Sequence, residues 1–207
     1  MVDCLPTYIA FEKLEIDKMK SWFDLVSEDQ NKSTLSYLKV NNAFAFKATN
    51  IVDDIFYNRI HLLDSHNTLN KAIEFYKSHN INWYVDIPEP NMSNLSKNLL
   101  ERLKHCGYYE TLIYNLKNTV KVNYTDFQFK KVDIEIWNHV SEVFISDAEY
   151  EFKNRFYLLP YLLRSSKWSF YIMYFNNKLI GIGGLFLNNE LSAFSTTYIL
   201  NKYRTLS

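Results

Sequence analysis

Glycine is scarce in this chain: there are four in 207 residues, Gly181, Gly183 and Gly184 lie together, and only Gly107 falls earlier. A phosphate-cradling loop needs backbone that approaches an anion closely or adopts positive φ, which glycine does at least cost. The first 180 residues therefore hold neither a dinucleotide fingerprint nor a P-loop. Cysteine is scarcer still. Cys4 and Cys106, with no CxxC and no His/Cys ligand spacing, suggest neither a disulfide scaffold nor a zinc site. Charge of neither sign prevails: 23 basic and 23 acidic residues cancel, which removes the field that would draw the chain to nucleic acid or an anionic membrane. No basic start and apolar run marks a signal peptide, and no stretch reaches the ~18 uncharged apolar residues of a membrane span. A soluble, cytoplasmic protein is expected.

What is present is ordinary globular material. Hydrophobic residues make up 47% and charged residues 22%, enough to build a core, and the length suits one medium domain or two small ones. Asparagine and lysine are abundant, at 22 and 18 residues. That skew resembles the codon bias of an AT-rich genome, so these residues need no functional explanation.

Apolar spacing over residues 7–29 suits one or two helices. The alternating 43–48 segment predicts a strand, 55–63 a second, and 68–79 a helix. A short strand over 83–87 is halted by Pro88 and Pro90. Asn91 to Asn94 cap a helix carrying Leu95, Leu99, Leu100 and Leu103, with Gly107 as its left-handed terminus and a strand over 108–116. The polar stretch 117–126 marks a boundary between two units, residues 1–120 and 124–207. In the second unit a strand over 127–132 precedes helices over 135–144 and 152–163, the latter bent at Pro160. Three antiparallel strands follow over 169–175, 179–187 and 191–200, turned at Asn176-Asn177 and Asn188-Asn189. The expected class is α+β.

The order strand, helix, helix, three-stranded meander, with the hairpin Asn-Asn-Lys-Leu-Ile-Gly-Ile-Gly-Gly-Leu-Phe-Leu, resembles the front half of a GNAT-superfamily N-acetyltransferase. Leu200, Tyr203 and Arg204 fit that superfamily's "L-P-x-Y-R-G-x-G" motif; Asn201 stands where proline is usual, and Thr205 and Ser207 where glycines are usual. The first unit, with Phe56-Tyr57-Asn58-Arg59 and Leu-Glu-Arg-Leu-Lys-His-Cys-Gly-Tyr-Tyr-Glu, is similar to the degenerate N-terminal domain of two-domain acetyltransferases. The resemblance thus implies two GNAT-like mixed-sheet units. It also implies that the second is incomplete, since the sequence stops at Ser207, where the family's pyrophosphate loop would follow.

By that resemblance the chain transfers acetyl from acetyl-CoA, as co-substrate and without a metal, to a small-molecule primary amine. The meander's third strand then supplies the cofactor cleft: Ile199 and Leu200 along the pantetheine arm, with Arg204 near the diphosphate. Tyr198 is the expected acid for the leaving thiolate. Among the carboxylates of 141–151, namely Glu142, Asp147, Glu149 and Glu151, Glu142 is the expected base, flanked by Trp137, Val140 and Val143 and so partly buried. The alternative is a non-catalytic GNAT-like binding or assembly module. Each chosen residue also has a plainer reading, as core strand, solvated helix face or core-edge hydroxyl. The scattered histidines read as surface or capping residues, Cys106 as a small buried hydrophobe, and the three late glycines as a strand bulge. The 191–200 strand, left as a sheet edge, is expected to pair with a second copy or with the first unit.

Overall fold

The structure, a computed structural model, describes residues 4–27, 34–50, 54–77, 79, 81–87, 96–107, 126–188 and 191–204. It is an α+β fold with two four-stranded sheets. A single helix, α1 (Cys4–Ser27), opens the chain. The first sheet takes β1 (Leu35–Val40), β2 (Ala43–Ala48), β3 (Arg59–His61) and β4 (Tyr84–Val85), in that order. The first three strands are antiparallel. β4 runs parallel to β3, a pairing that requires a crossover, here supplied by α2 (His66–Lys77).

β1 is a strand that the sequence pattern left unassigned. Val40 faces Ala43 across a two-residue turn in which Asn41 takes φ 54°, a conformation asparagine tolerates because its short amide bonds locally. The same Asn-Asn signal marks the hairpin at Asn176 and Asn177. The strand expected over 55–63 is only three residues long. Asp54 accepts the Phe56 amide at 2.7 Å through its side chain and the Asn58 amide at 3.0 Å through its carbonyl, so a side-chain-capped turn displaces the strand. The leucine-rich helix shrinks to one turn, α3 (Lys97–Leu100), with Leu99 buried. Gly107 lies seven positions further on at φ 156°, so it does not end that helix in a left-handed turn. Cys106 is exposed rather than buried. The expected 108–116 strand and most of the 117–126 boundary lie outside the described residues.

The second sheet is an open antiparallel ribbon of β5 (Phe127–Lys131), β6 (Trp168–Phe175), β7 (Lys178–Asn188) and β8 (Leu191–Ile199), ordered as in the chain. Between β5 and β6 run α4 (Ile134–Asp147) and α5 (Tyr150–Leu162). Asp133 caps α4 by accepting the Ile136 amide at 2.8 Å. Pro160 stands in the last turn of α5, where the helix still runs on to Leu162.

Packing joins the two sheets. α1 buries Leu14, Ile16, Met19, Trp22, Phe23 and Val26 in a core shared by Phe46 and Tyr57 of the first unit and Phe144, Phe156, Trp168 and Phe186 of the second. The Trp22 ring meets Tyr57 edge-on at 5.6 Å and Trp168 at 5.5 Å. Such rings each contribute about 2–3 kcal/mol of burial free energy, with a further increment for edge-to-face geometry. The first sheet's other face has its own core, where Ile60 and Ala45 meet Leu69, Ala72 and Tyr76 of α2. Arg155 of α5 adds a polar tie to Asp54 at 3.2 Å, its guanidinium stacked among Phe56, Tyr57 and Phe152. No helix among the described residues is long and apolar enough to cross a membrane.

Candidate functional site

The distinctive irregularity lies where β7 meets β8. Gly184 faces Ser195 and Ile182 faces Tyr198, so Gly183 alone stands opposite two residues, Thr196 and Thr197. That is a β-bulge, and the extra residue is on β8, not on the glycine-bearing strand that the sequence pointed to. Thr196 carries the local distortion at φ 24°, and its buried hydroxyl has no hydrogen-bond partner among the described residues. Bulges bend a strand and re-aim its edge groups.

The glycines answer to close approach. A methyl carbon on Gly184 would lie 2.5 Å from the Phe170 ring, and one on Gly181 2.7 Å from the Tyr198 carbonyl oxygen. A methyl carbon on Gly183 would meet only the Thr197 hydroxyl, at an ordinary contact distance of 3.9 Å. A second irregularity leaves Ile180 as an extra residue on β7, because Met173 faces Gly181 and Tyr174 faces Leu179.

Tyr198 is buried against Phe152 and Phe156 of α5, with ring centroids 5.0 and 5.4 Å away. Its hydroxyl reaches the end of α4, 2.9 Å from the Asp147 carbonyl and 3.0 Å from a carboxylate oxygen of the same residue. The backbone amide of Asn201 donates to that carboxylate at 2.8 Å, and the Asn201 side chain to the Asp147 carbonyl at 2.8 Å. Burial, and then the Asp147 carboxylate, push the Tyr198 hydroxyl above its ordinary range, with Arg204 pulling the other way. It therefore stays protonated through neutral pH.

Beyond the bulge, Leu200 is buried and donates its amide to Ile180 at 2.9 Å. Ile199, half-buried, presents its carbonyl to the other side, where the Arg204 Nε donates to it at 3.0 Å. Strand alternation puts the Ile199 amide on that same outer edge. The Arg204 guanidinium also lies 4.8 Å from the Tyr198 ring centroid. The residues named from sequence on β8 and its continuation, Tyr198, Ile199, Leu200 and Arg204, thus come together at one end of the strand.

Glu142 does not join them on the buried side. It is exposed on α4, whereas the face that packs inward carries Trp137, Val140 and Phe144. Counting helical steps of three and four from Val140 and Phe144 leads to Asp147, not to Glu142. That periodicity was the available signal for the carboxylate that touches Tyr198. Among the described residues no group of three or more His, Cys, Asp or Glu side chains could hold a metal ion.

In the first unit the start of α2 is filled by its own side chains. Thr68 donates to Asp64 at 2.5 Å, and the Thr68 amide to the Ser65 hydroxyl at 3.3 Å. A buried contact between the His61 ring and the Glu12 carboxylate, at 2.9 Å, joins β3 to α1, and Arg59 pairs with Asp86 beyond β4. The Tyr8 hydroxyl lies beside Glu12, outside good hydrogen-bond geometry.

Comparison with known proteins adds little to this geometry. No protein-family model matches the chain, and no curated protein matches it. Among solved structures it is similar to the crystal structure of a functionally unknown conserved protein from Staphylococcus epidermidis ATCC 12228, at 11% identity and a TM-score of 0.42 over 81% of this chain and 72% of that one. A likeness this slight transfers neither fold nor function.

Proposed function

We propose that the protein is an N-acetyltransferase that moves the acetyl group of acetyl-CoA to a small-molecule primary amine, built from two GNAT-like units. The observation that carries this reading is the bulge at Thr196 and Thr197, at the end of an open antiparallel ribbon entered through two helices. It bends the outer edge of β8 just before Ile199, whose edge amide is free to point at a carbonyl oxygen. The amine nitrogen forms the new bond to the thioester carbon. The carbon–sulfur bond breaks, a proton leaves the nitrogen, and the thiolate takes one up. A fixed backbone donor beside the developing oxyanion is worth about 3 kcal/mol of barrier.

In this reading Ile199 and Leu200 line the thioester's tail and Arg204 swings from the Ile199 carbonyl toward the diphosphate. Glu142 is the base in this reading, although it lies solvated on a side of α4 other than the one that carries Asp147 to Tyr198. Tyr198 is protonated, as an acid must be, but its hydroxyl has to leave Asp147 before it can serve the thiolate. Its first task is to hold the end of β8 against α4.

The alternative, a non-catalytic GNAT-like binding or assembly module, is favoured by the same contacts read the other way. Arg204 already caps the edge carbonyl, and Asp64 already sits at the start of α2. Calorimetry with acetyl-CoA on the whole 207-residue chain separates the two. Micromolar affinity, with label appearing on a primary amine when acetyl-labelled cofactor is supplied, is the expected result. Absence of heat at millimolar cofactor would discard the transferase and leave the module.

A further inference from the structure

A cleft of about 630 Å³ opens between α1 and the loop that follows β3, within the size range of small-molecule sites. Its lining is mixed: Ile9 and Ile16 from α1, Phe44 from β2, and Leu62 and Leu63 from the loop are apolar, and Asn42 stands among them with four charged residues. Leu62 is held at φ 55°, a left-handed conformation that leucine adopts only where the surroundings enforce it, and such positions concentrate at ligand clamps.

The rim carries both signs of charge. Lys13 and Lys39 line it, and so do Asp17 and Asp64. Lys13 and Asp17 are one helical turn apart but form no ion pair, and one oxygen of Asp17 accepts the Asn188 side-chain amide at 2.6 Å. Asp64 spends Oδ1 on Thr68 and Ser65, which leaves Oδ2 for another donor. Among the described residues neither lysine has a carboxylate within ion-pair distance. Lys39 instead lies 5.6 Å from the Phe44 ring centroid, against the cleft wall. Nearby, the Glu12 carboxylate is in contact with the His61 ring and Arg59 pairs with Asp86.

We propose that this cleft binds a small zwitterion with an apolar body, of the size of an apolar dipeptide, its carboxylate at Lys13 and Lys39 and its ammonium at Asp64. The charge pattern of such a molecule is the inverse of the rim, and its side chains match the walls. The site is separate from the β8 edge and does not depend on acetyl transfer.

Leu-Leu is the probe. Titrated into the isotope-labelled full chain, it should shift the amides of Leu62, Leu63 and Asp64 with half-saturation at about 1 mM. N-acetyl-Leu-Leu, which lacks the ammonium, and Leu-Leu amide, which lacks the carboxylate, should each bind about fivefold more weakly. The double variant K13Q/K39Q, at exposed positions, should weaken Leu-Leu about fivefold and leave Leu-Leu amide unchanged. K130Q in the other sheet should change neither. The proposal is overturned by an absence of shifts at about 20 mM, by shifts centred elsewhere, by capped forms binding as well as the free dipeptide, or by an unaffected double variant.

Discussion

Tyr198 and Asp147, fifty-one residues apart in the chain, are joined by a 3.0 Å hydrogen bond from phenol to carboxylate. The bond pins the last strand of the ribbon to the end of α4, and Asn201 closes the knot with two further bonds. Asp147→Ala leaves the Asn201 amide without its acceptor and takes from the Tyr198 phenol one of its two acceptors, the backbone carbonyl of residue 147 being kept. It should cost about 2 kcal/mol in urea unfolding, and Tyr198→Phe, which deletes the donor, about 1 kcal/mol. No loss in either variant would show that the knot is not structural.

The glycines of β7 should differ sharply. Alanine at Gly184 drives a methyl into the fully buried Phe170 ring, and at Gly181 into the Tyr198 carbonyl; each substitution should cost about 1–3 kcal/mol. Gly183→Ala meets only the Thr197 hydroxyl, at an ordinary contact distance, and should stay within about 0.5 kcal/mol of the parent in thermal or urea melts.

The tie between the units rests on Asp54 and Arg155, both largely buried. Asp54→Ala leaves the guanidinium uncompensated among aromatic rings and should cost about 3 kcal/mol, part of which the further change Arg155→Met should restore. Because α1 contributes to one core with both sheets, tryptophan fluorescence and far-ultraviolet dichroism should report a single coincident transition. Two separated transitions would mean that the units are independently stable.

Alkaline pH should unfold the protein. Burial raises the hydroxyls of Tyr8, Tyr57, Tyr76 and Tyr198 above the ordinary tyrosine value of 10.0. The folded state keeps these protons more tightly than the unfolded state does. Their contribution is thus complete below about pH 10 and is lost as pH rises through the folded values. Burial lowers Lys47, which acts with the opposite sign, but one amine is outweighed by four phenols. Phenolate absorbance should therefore appear together with loss of structure. Ionisation of all the tyrosines in a fully folded chain would contradict this.

The outer edge of β8 invites a partner. It is the terminal strand of its sheet, and Phe194 on it is 81% exposed. Sedimentation should give a homodimer joined through this strand, and Phe194→Lys should shift it to monomer, since charge blunts an edge. A monomer at every concentration would end that expectation.

The ribbon β6 to β8, the helices α4 and α5 and the α+β class were legible in the sequence, because they depend on neighbours in the chain. Residue alternation sets a strand, apolar spacing sets a helix face, and Asn-Asn turns a hairpin whatever surrounds it. The same turn chemistry at Asn41 and Asn42 makes β1 legible too. Over 55–63, a carboxylate at Asp54 outbid the strand pattern.

Other features were decided only by the tertiary structure. The apolar stripe of α1 says that it will be covered, not that two sheets will share it. Three clustered glycines advertise an irregular strand, yet the extra residue lies on β8, because register is settled between strands. Glu142 and Asp147 are both acidic residues on one helix, and only the docking of that helix gives the second a phenol and leaves the first to solvent. Local periodicity fixes each element's faces through short-range sterics and hydrogen bonding. Which faces meet depends on the free energy of the whole packed assembly, to which distant residues contribute as much as near ones.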